Sequence, residues 1–433
     1  MTFSKNKSLR IHLIRGATGS FVLKIVQTAL TLLAAVVLAR VLGVEDFGIY
    51  AFCLSIIQIL TLLSTLGGEQ LLVREVAVYK SKGEYHFLRG LLLRFCQASF
   101  FVSIFLALVT AGFGYMFYRN SLMLIPFLVA GAIIPMHTAM QLQGAALRGL
   151  GNLLLGQIAF SLRPAFVIVI VGILFWNSGM KQNAEVALSA EFVGGVVIFA
   201  ITFVLLYKLL PRKVKNVKPN FETAKWGRSA FPFVFASGMW VFNNQCSSLI
   251  LGILHTPEGV GLFRVAQRGA LLILFALQAV NISIAPTVAE MFTKGERRRL
   301  QRLISKSILA ALAIALPTAL VLILGGKWII PFVFGSSYAP AYYPLTILCI
   351  GQLINVGMGS VGLILNMAGL EHYTARGVAI AAFANLAFNV ILIPYFGTVG
   401  AAIATSTSLV IWNIMLSWYV YKEIGIISTI KFK

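Results

Sequence analysis

Leu42-Gly43-Val44-Glu45-Asp46-Phe47-Gly48-Ile49-Tyr50 lies between two long apolar runs, and a second version of it, Glu258-Gly259-Val260-Gly261-Leu262-Phe263, occurs about half a chain later. Glu45 corresponds to Glu258, Gly48 to Gly261 and Tyr50 to Phe263. A further pair supports the match: Val76-Ala77, Lys82-Gly83-Glu84 and Leu88 return as Val288-Ala289, Lys294-Gly295-Glu296 and Leu300. The two offsets agree to one residue and the order is kept. That argues for an internal duplication, a plan common among transporters.

What flanks these stretches sets the class. The 433-residue chain is 59% hydrophobic and only 11% charged, against about 25% charged residues in soluble globular domains. It cannot dress a water-facing surface of its size, and apolar segments of about 20 residues, each long enough to span a bilayer as a helix, recur along it. The composition predicts an all-α integral membrane protein. A net charge of +22 would point a soluble protein towards nucleic acid; here the basic residues cluster between spans, so they read as a topological signal and no nucleic-acid partner is expected. Cys53, Cys96, Cys246 and Cys349 fall inside apolar segments, with no metal-ligand spacing and no disulfide framework. Residues Met1 to Arg15 are basic and polar and lead into a full-length span without a small-residue cleavage site, which reads as an uncleaved first helix.

Twelve transmembrane helices are expected, near 17–40, 47–67, 91–117, 122–143, 154–176, 185–207, 230–253, 263–290, 307–330, 343–366, 376–395 and 399–421. Of the 35 Lys and Arg, only Arg40, Arg119, Lys181 and Lys327 fall at the ends opposite the N-terminus, and only Lys24, Arg163, Arg264 and Arg268 fall inside spans. All others lie on one side, which places both termini in the cytoplasm. The longest polar connection, Lys208 to Arg228, contains Pro211 and Pro219. It divides the chain into an N-terminal six-helix bundle (1–207), a basic cytoplasmic linker (208–229) and a C-terminal six-helix bundle (230–433). Because six is even, the two repeats are parallel, related by an axis along the membrane normal. Pro126, Pro135, Pro164, Pro232, Pro286 and Pro317 fall in or near spans and are expected to kink helices.

Charges within the spans carry the functional signal. A Lys or Arg at a helix centre costs about 2.5–3.5 kcal/mol on insertion scales, so such residues face a wet cavity or a partner. Lys24 lies in the first helix, Arg163 in the fifth just before Pro164, and Arg264 and Arg268 one turn apart in the eighth. A lumen lined by Lys and Arg suits an anion, with Arg offering a bidentate fork to phosphate; snorkelling to an interface is the alternative, above all for Arg264. His137, Asn243, Asn244 and Asn281 join the substrate-binding candidates. Internal acids are few: Glu69, Glu191 and Glu290 are the coupling candidates. They are too few to pair with all four cations. No metal site, phosphate-cradling glycine loop or Ser-His-Asp arrangement stands out, and bond-making chemistry is not expected.

At this point a family resemblance emerges. Ala39-Arg40-Val41-Leu42-Gly43 through Phe47-Gly48-Ile49-Tyr50 resembles the opening signature of bacterial polysaccharide (O-antigen) flippases. So do Leu72-Val73-Arg74-Glu75-Val76-Ala77, Gln143-Gly144-Ala145-Ala146-Leu147-Arg148, and Leu251-Gly252 through Gly261-Leu262-Phe263. Phe334-Gly335 with Tyr338, and Pro394-Tyr395-Phe396-Gly397 leading into Gly400-Ala401-Ala402-Ile403-Ala404-Thr405, complete an ordered series over nearly the whole chain. These flippases belong to the exporter superfamily that includes the lipid II flippase and the multidrug and toxic-compound (MATE) extruders. The resemblance implies a V-shaped pair of six-helix bundles working by alternating access. It also implies an undecaprenyl-diphosphate-linked oligosaccharide as substrate, an O-antigen or other surface polysaccharide repeat unit moved from the cytoplasmic to the outer leaflet of a bacterial plasma membrane. One departure stands out: many relatives carry an Asp shortly before the Leu-Gly of the seventh helix, where this chain reads Gln245-Cys246-Ser247-Ser248.

No cofactor is expected; an H⁺ or Na⁺ gradient or the membrane potential would supply the energy. Membrane lipids are obligatory neighbours, and the basic linker could dock partner enzymes such as a polysaccharide polymerase and a chain-length protein. Three other functions stay open, one of them a purely structural assembly subunit. A drug extruder of the same superfamily would prefer an acidic lining, and a polymerase or glycosyltransferase acting on the same lipid would need a sizeable soluble loop.

Overall fold

A computed structural model describes the backbone of residues 2–178 and 183–429, and side chains throughout these except at 2–21, 159–160 and 175–178. Lys181, Lys431 and Lys433, which entered the charge count, lie outside the described residues, as do the side chains of Lys5, Lys7, Arg10 and Arg15. Among the described residues all regular structure is helical, and fourteen α-helices follow one another: α1 (Thr2–Leu42), α2 (Val44–Thr65), α3 (Gly68–Lys82), α4 (Tyr85–Tyr118), α5 (Leu124–Gly149), α6 (Leu153–Ser178), α7 (Ala184–Leu209), α8 (Arg212–Asn216), α9 (Thr223–Leu254), α10 (Pro257–Thr293), α11 (Arg297–Phe334), α12 (Tyr342–Met358), α13 (Val361–Met367) and α14 (Glu371–Tyr419). Among the described residues, nine helical stretches are long and apolar enough to cross a bilayer. Large apolar side chains such as Phe101, Met116 and Phe332 point outwards, as a lipid-facing surface requires. The protein is a multi-pass integral membrane protein.

Several boundaries depart from expectation. Helix α1 begins at Thr2, so the polar lead-in is helical. The short α3 (Gly68–Lys82) is an amphipathic helix that the apolar-run reading passed over, because it is too polar to register as a span. The tenth expected helix is broken at Gly359, whose φ of 77° separates α12 from α13. At 49 residues α14 would reach roughly 74 Å at 1.5 Å per residue. It is two helices joined at Gly397 (φ 51°, ψ −126°), close to the expected gap between 395 and 399.

By its internal contacts the chain forms two compact units, one of Met1–Leu42 with Cys53–Gly238 and one of Gly43–Phe52 with Met239–Lys433. The Lys208–Arg228 stretch folds onto the first unit. Arg89 donates to the carbonyls of Lys215 and Val217, both at 2.7 Å, and Asn220 N–H bonds His86 O at 3.1 Å. Val214 and Trp226 are buried in a core with Leu71, Leu72, Leu88 and Leu91.

The two copies of the opening stretch meet within the second unit. A Cβ placed on Gly48 would lie 1.7 Å from Pro257 O, and one on Gly261 would lie 2.5 Å from Val44 O. The two helix starts therefore touch backbone to backbone, which only glycine permits. Gly43 turns at φ 82° ahead of α2, and its carbonyl accepts a 3.0 Å hydrogen bond from the Tyr338 hydroxyl. The second sequence pair is duplicated bond for bond. Gly83 (φ 74°) and Gly295 (φ 70°) both turn left-handed at a helix end. Glu84 N–H reaches Tyr79 O at 2.9 Å and Glu296 N–H reaches Met291 O at 3.0 Å, the six-to-one bond of a glycine-capped helix terminus. Val76 and Val288, and Leu88 and Leu300, are all fully buried.

A third correspondence was not read from the sequence. Tyr342 and Glu371, which open α12 and α14, are spaced as Leu124 and Leu153 are at the starts of α5 and α6. In that register Gly151 falls on Gly369, both left-handed, and Asn152 N→Leu147 O (3.0 Å) falls on Leu370 N→Leu365 O (2.9 Å). His137, Arg148 and Arg163 then fall on Asn355, Asn366 and Ala381.

Candidate functional site

The first unit holds a buried charged centre. Helix α7 carries Gly194 and Gly195, and a Cβ on them would lie 3.2 Å from Phe166 Cβ and 2.0 Å from Met136 Cε respectively. Small residues at these positions let α7 lie close against α5 and α6. One turn earlier on α7, Glu191 is thereby brought to Arg163 of α6 and His137 of α5. Arg163 Nε is 2.9 Å from Glu191 Oε1, and His137 Nε2 is 3.8 Å from the same oxygen. Arg163 Nη1 lies 3.4 Å from His137 Nδ1 and 3.3 Å from Nε2. The Glu191 side chain is 3% exposed and that of Arg163 24%. Such a buried pair is held by mutual neutralisation, and losing either partner would strand the other.

Arg163 thus has an acidic partner, and Glu191 and Arg163, expected to serve coupling and substrate separately, form one cluster with His137. The other two acids sit in exposed or half-exposed pairs, Glu69 with Arg148 at 2.9 Å and Glu290 with Lys294 at 2.5 Å. Among the described residues Glu191 is the only buried acid. Lys24 is exposed on α1, where its carbonyl accepts a 2.8 Å bond from Thr28.

The second unit holds a different kind of centre. Arg264 on α10 is buried, so it does not snorkel. It donates to two neutral carboxamides, Gln245 Oε1 at 3.3 Å and Gln267 Oε1 at 3.1 Å. Gln245 belongs to the segment in which many resembling proteins carry an Asp. Arg268, one turn on, is partly buried. Beside Gln267 opens a cavity of about 480 Å³ walled by α9, α10, α12, α13 and α14. It contains Asn243, Asn244 and Asn281, three of the candidates read from the sequence, yet among the described residues no Asp, Glu, Lys or Arg lines it.

Carboxamides hold one another in place around this cavity. Asn385 Nδ2 donates to Asn243 O and Oδ1 at 3.0 and 3.1 Å, Asn413 Nδ2 to Asn355 Oδ1 at 2.9 Å, and Asn355 Nδ2 to Gln352 Oε1 at 3.1 Å. Ser360, at the break between α12 and α13, donates to Asn281 Oδ1. Asn244 turns to its own helix, bonding Trp240 O at 2.7 Å. Asn385, Asn389, Asn413 and Trp412 escaped the sequence reading. The signal that could have found them is the i, i+4 pair Asn385 and Asn389 in an otherwise apolar run, with Asn389 Nδ2 bonding Asn385 Oδ1 at 2.7 Å.

Comparison with known proteins agrees with this architecture. The family profile described as polysaccharide biosynthesis protein matches residues 13–292, and that of lipid II flippase MurJ matches residues 158–433. A probable low-salt glycan biosynthesis flippase of Haloferax volcanii is 27% identical over 422 residues, covering 96% of this chain and 85% of its own. Among solved structures, an inward-facing multidrug resistance MATE family transporter of the MOP superfamily superimposes with a TM-score of 0.75 at 14% identity, over 92% of this chain and 94% of its own. Lipid II flippase MurJ in an inward closed conformation gives 0.68 at 15% identity, over 94% and 87%. At such identity the structural likeness establishes the fold.

Proposed function

The chain belongs to the polysaccharide biosynthesis protein family, a family of flippases rather than enzymes, and from that premise we propose that its cargo is an undecaprenyl-diphosphate-linked oligosaccharide, the repeat unit of a surface polysaccharide. The cargo moves from the cytoplasmic to the outer leaflet of the plasma membrane, by alternating access between two six-helix repeats and with both termini cytoplasmic. Separating α14 at Gly397 and counting α6 and α9 as spans gives the twelve helices that this topology needs.

The observation that carries the substrate assignment is Arg264. It is a buried guanidinium within a span, its hydrogen-bond acceptors are two neutral amides, and its Nη2 has no hydrogen-bond partner among the described residues. A cation so placed is costly in a membrane, and a diphosphate oxygen would both neutralise it and take the open donor. Arg268 adds charge one turn away, whereas Arg163, in the first unit, is already neutralised by Glu191. A cationic drug would find the opposite of what it needs here.

Coupling rests on Glu191, the buried acid. A negative-inside potential adds about 2.3 kcal/mol per expelled negative charge per 100 mV. A polysaccharide polymerase and a chain-length partner are the enzymes that would use the flipped product. Deleting the gene should abolish surface polysaccharide and leave lipid-linked glycan on the cytoplasmic leaflet. Complementation with Arg264→Gln should fail at matched membrane levels, and undiminished surface polysaccharide in the deletion strain would reject the reading.

A further inference from the structure

The cavity of the second unit has a chemistry of its own. A diphosphate needs cations, and among the described residues this cavity presents none. Its wall mixes apolar side chains such as Leu271, Leu274 and Leu409 with nine carboxamides, more polar groups than a lipid tail needs. Carboxamides donate and accept together, and so do sugar hydroxyls; a neutral, amide-lined cavity matches a neutral polyhydroxylated ligand with no net charge to compensate.

Three further observations point the same way. First, the wall holds polar atoms that are buried and unmatched: Trp412 Nε1 and Thr374 Oγ1 have no hydrogen-bond partner among the described residues. An unsatisfied buried donor of this kind is costly unless something completes it. Second, Trp240 and Trp412 supply indole surfaces in the same wall, broad amphipathic faces suited to a ring with apolar and polar sides. Third, the two halves differ in charge at corresponding positions. In the shared register of α5–α6 and α12–α14, His137, Arg148 and Arg163 fall on Asn355, Asn366 and Ala381, and all three of the latter line the cavity. The first unit has ionisable groups at these positions and the second has neutral ones.

We infer that the amide-lined cavity of the second unit is the saccharide subsite of the transporter, taking the sugar adjoining the diphosphate while Arg264, bonded to the cavity residue Gln267, marks the anionic end. The inference rests on the flippase reading and adds to it the place and chemistry of glycan recognition.

Gln278 and Asn366 line the cavity and are exposed, so Gln278→Leu and Asn366→Leu leave the packed core untouched. Each should be purified as the full chain from its own cells in mild detergent and analysed by native mass spectrometry. The probes are the cell's own glycosylated and bare polyprenyl diphosphates that co-purify. The ratio of glycosylated to bare carrier should fall about tenfold in the double variant, from two lost neutral hydrogen bonds. Trp412→Phe, which keeps the aromatic bulk and removes the unmatched N–H, should lower the ratio in the same direction. An unchanged ratio in all variants, or an equal loss of both lipids, would overturn the subsite and leave the flippase reading standing. A wild-type protein that carries no glycosylated carrier at all would instead overturn the flippase reading, and the subsite with it.

Discussion

Replacing Arg163 by Ala removes one member of a buried pair whose other member cannot reach water. The Glu191 side chain is 3% exposed, and among the described residues the only other ionisable side chain against it is His137, 3.8 Å away and 5% exposed. Stranding a buried charge in this way costs about 3–5 kcal/mol. The reverse change, Glu191→Gln, leaves Arg163, whose side chain is 24% exposed and carries donors on a long stem. Arg163 can turn towards water, so the cost should fall to about 1–2 kcal/mol, because the charge left behind is hydrated and not stranded. The double variant Arg163→Met, Glu191→Leu strands nothing, and buried pairs replaced by apolar residues of similar volume are often neutral in stability. Three stabilities are thus ordered: Arg163→Ala lowest, Glu191→Gln intermediate, the apolar double variant near wild type. Unfolding of the purified protein in lipid nanodiscs, followed by its intrinsic fluorescence, measures them. Transport of the lipid-linked glycan should be lost in the double variant despite its stability. If Arg163→Ala were no less stable than Glu191→Gln, or the double variant were the worst of the three, the pair would not be the buried, mutually neutralising contact described.

Gly48→Ala should destabilise by about 1–3 kcal/mol, since its Cβ would fall 1.7 Å from Pro257 O and force two backbones apart, whereas Gly112→Ala, with nothing within 4 Å, should be neutral or slightly stabilising; thermal unfolding of the two variants side by side distinguishes them. Tyr79→Phe leaves the buried Trp226 indole N–H without its 2.9 Å acceptor and should cost about 1–3 kcal/mol at neutral pH. Burial raises the Tyr79 phenol above its ordinary value, so the unfolded chain releases that proton first as pH rises. The wild-type advantage over Tyr79→Phe should therefore hold below pH about 10 and shrink above it, and a pH series of denaturation midpoints that showed the advantage growing in alkali would contradict this. Reporter tags at the N-terminus, within Lys208–Arg228 and at the C-terminus should all read cytoplasmic, and a periplasmic signal from the middle tag would break the twelve-helix topology.

The sequence alone determined the class, the approximate spans and the duplication. A chain with 59% hydrophobic and 11% charged residues has only one solvent in which it can fold. Backbone hydrogen bonding in lipid then leaves it only helices or a closed barrel. The repeated Gly48 and Gly261, and Gly83 and Gly295, were legible because backbone contact and left-handed turns admit almost nothing but glycine. Partnership was not legible. That Glu191 pairs with Arg163, that Arg264 is capped by Gln245 and Gln267, and that Asn355, Asn366 and Ala381 share one wall are facts about side chains from different helices. Spacing along one chain cannot report them, because helix rotation and close approach are set by packing. The short α3 and the break at Gly359 escaped for a related reason: hydropathy registers segments that face lipid, whereas these are shaped by what they touch inside the protein.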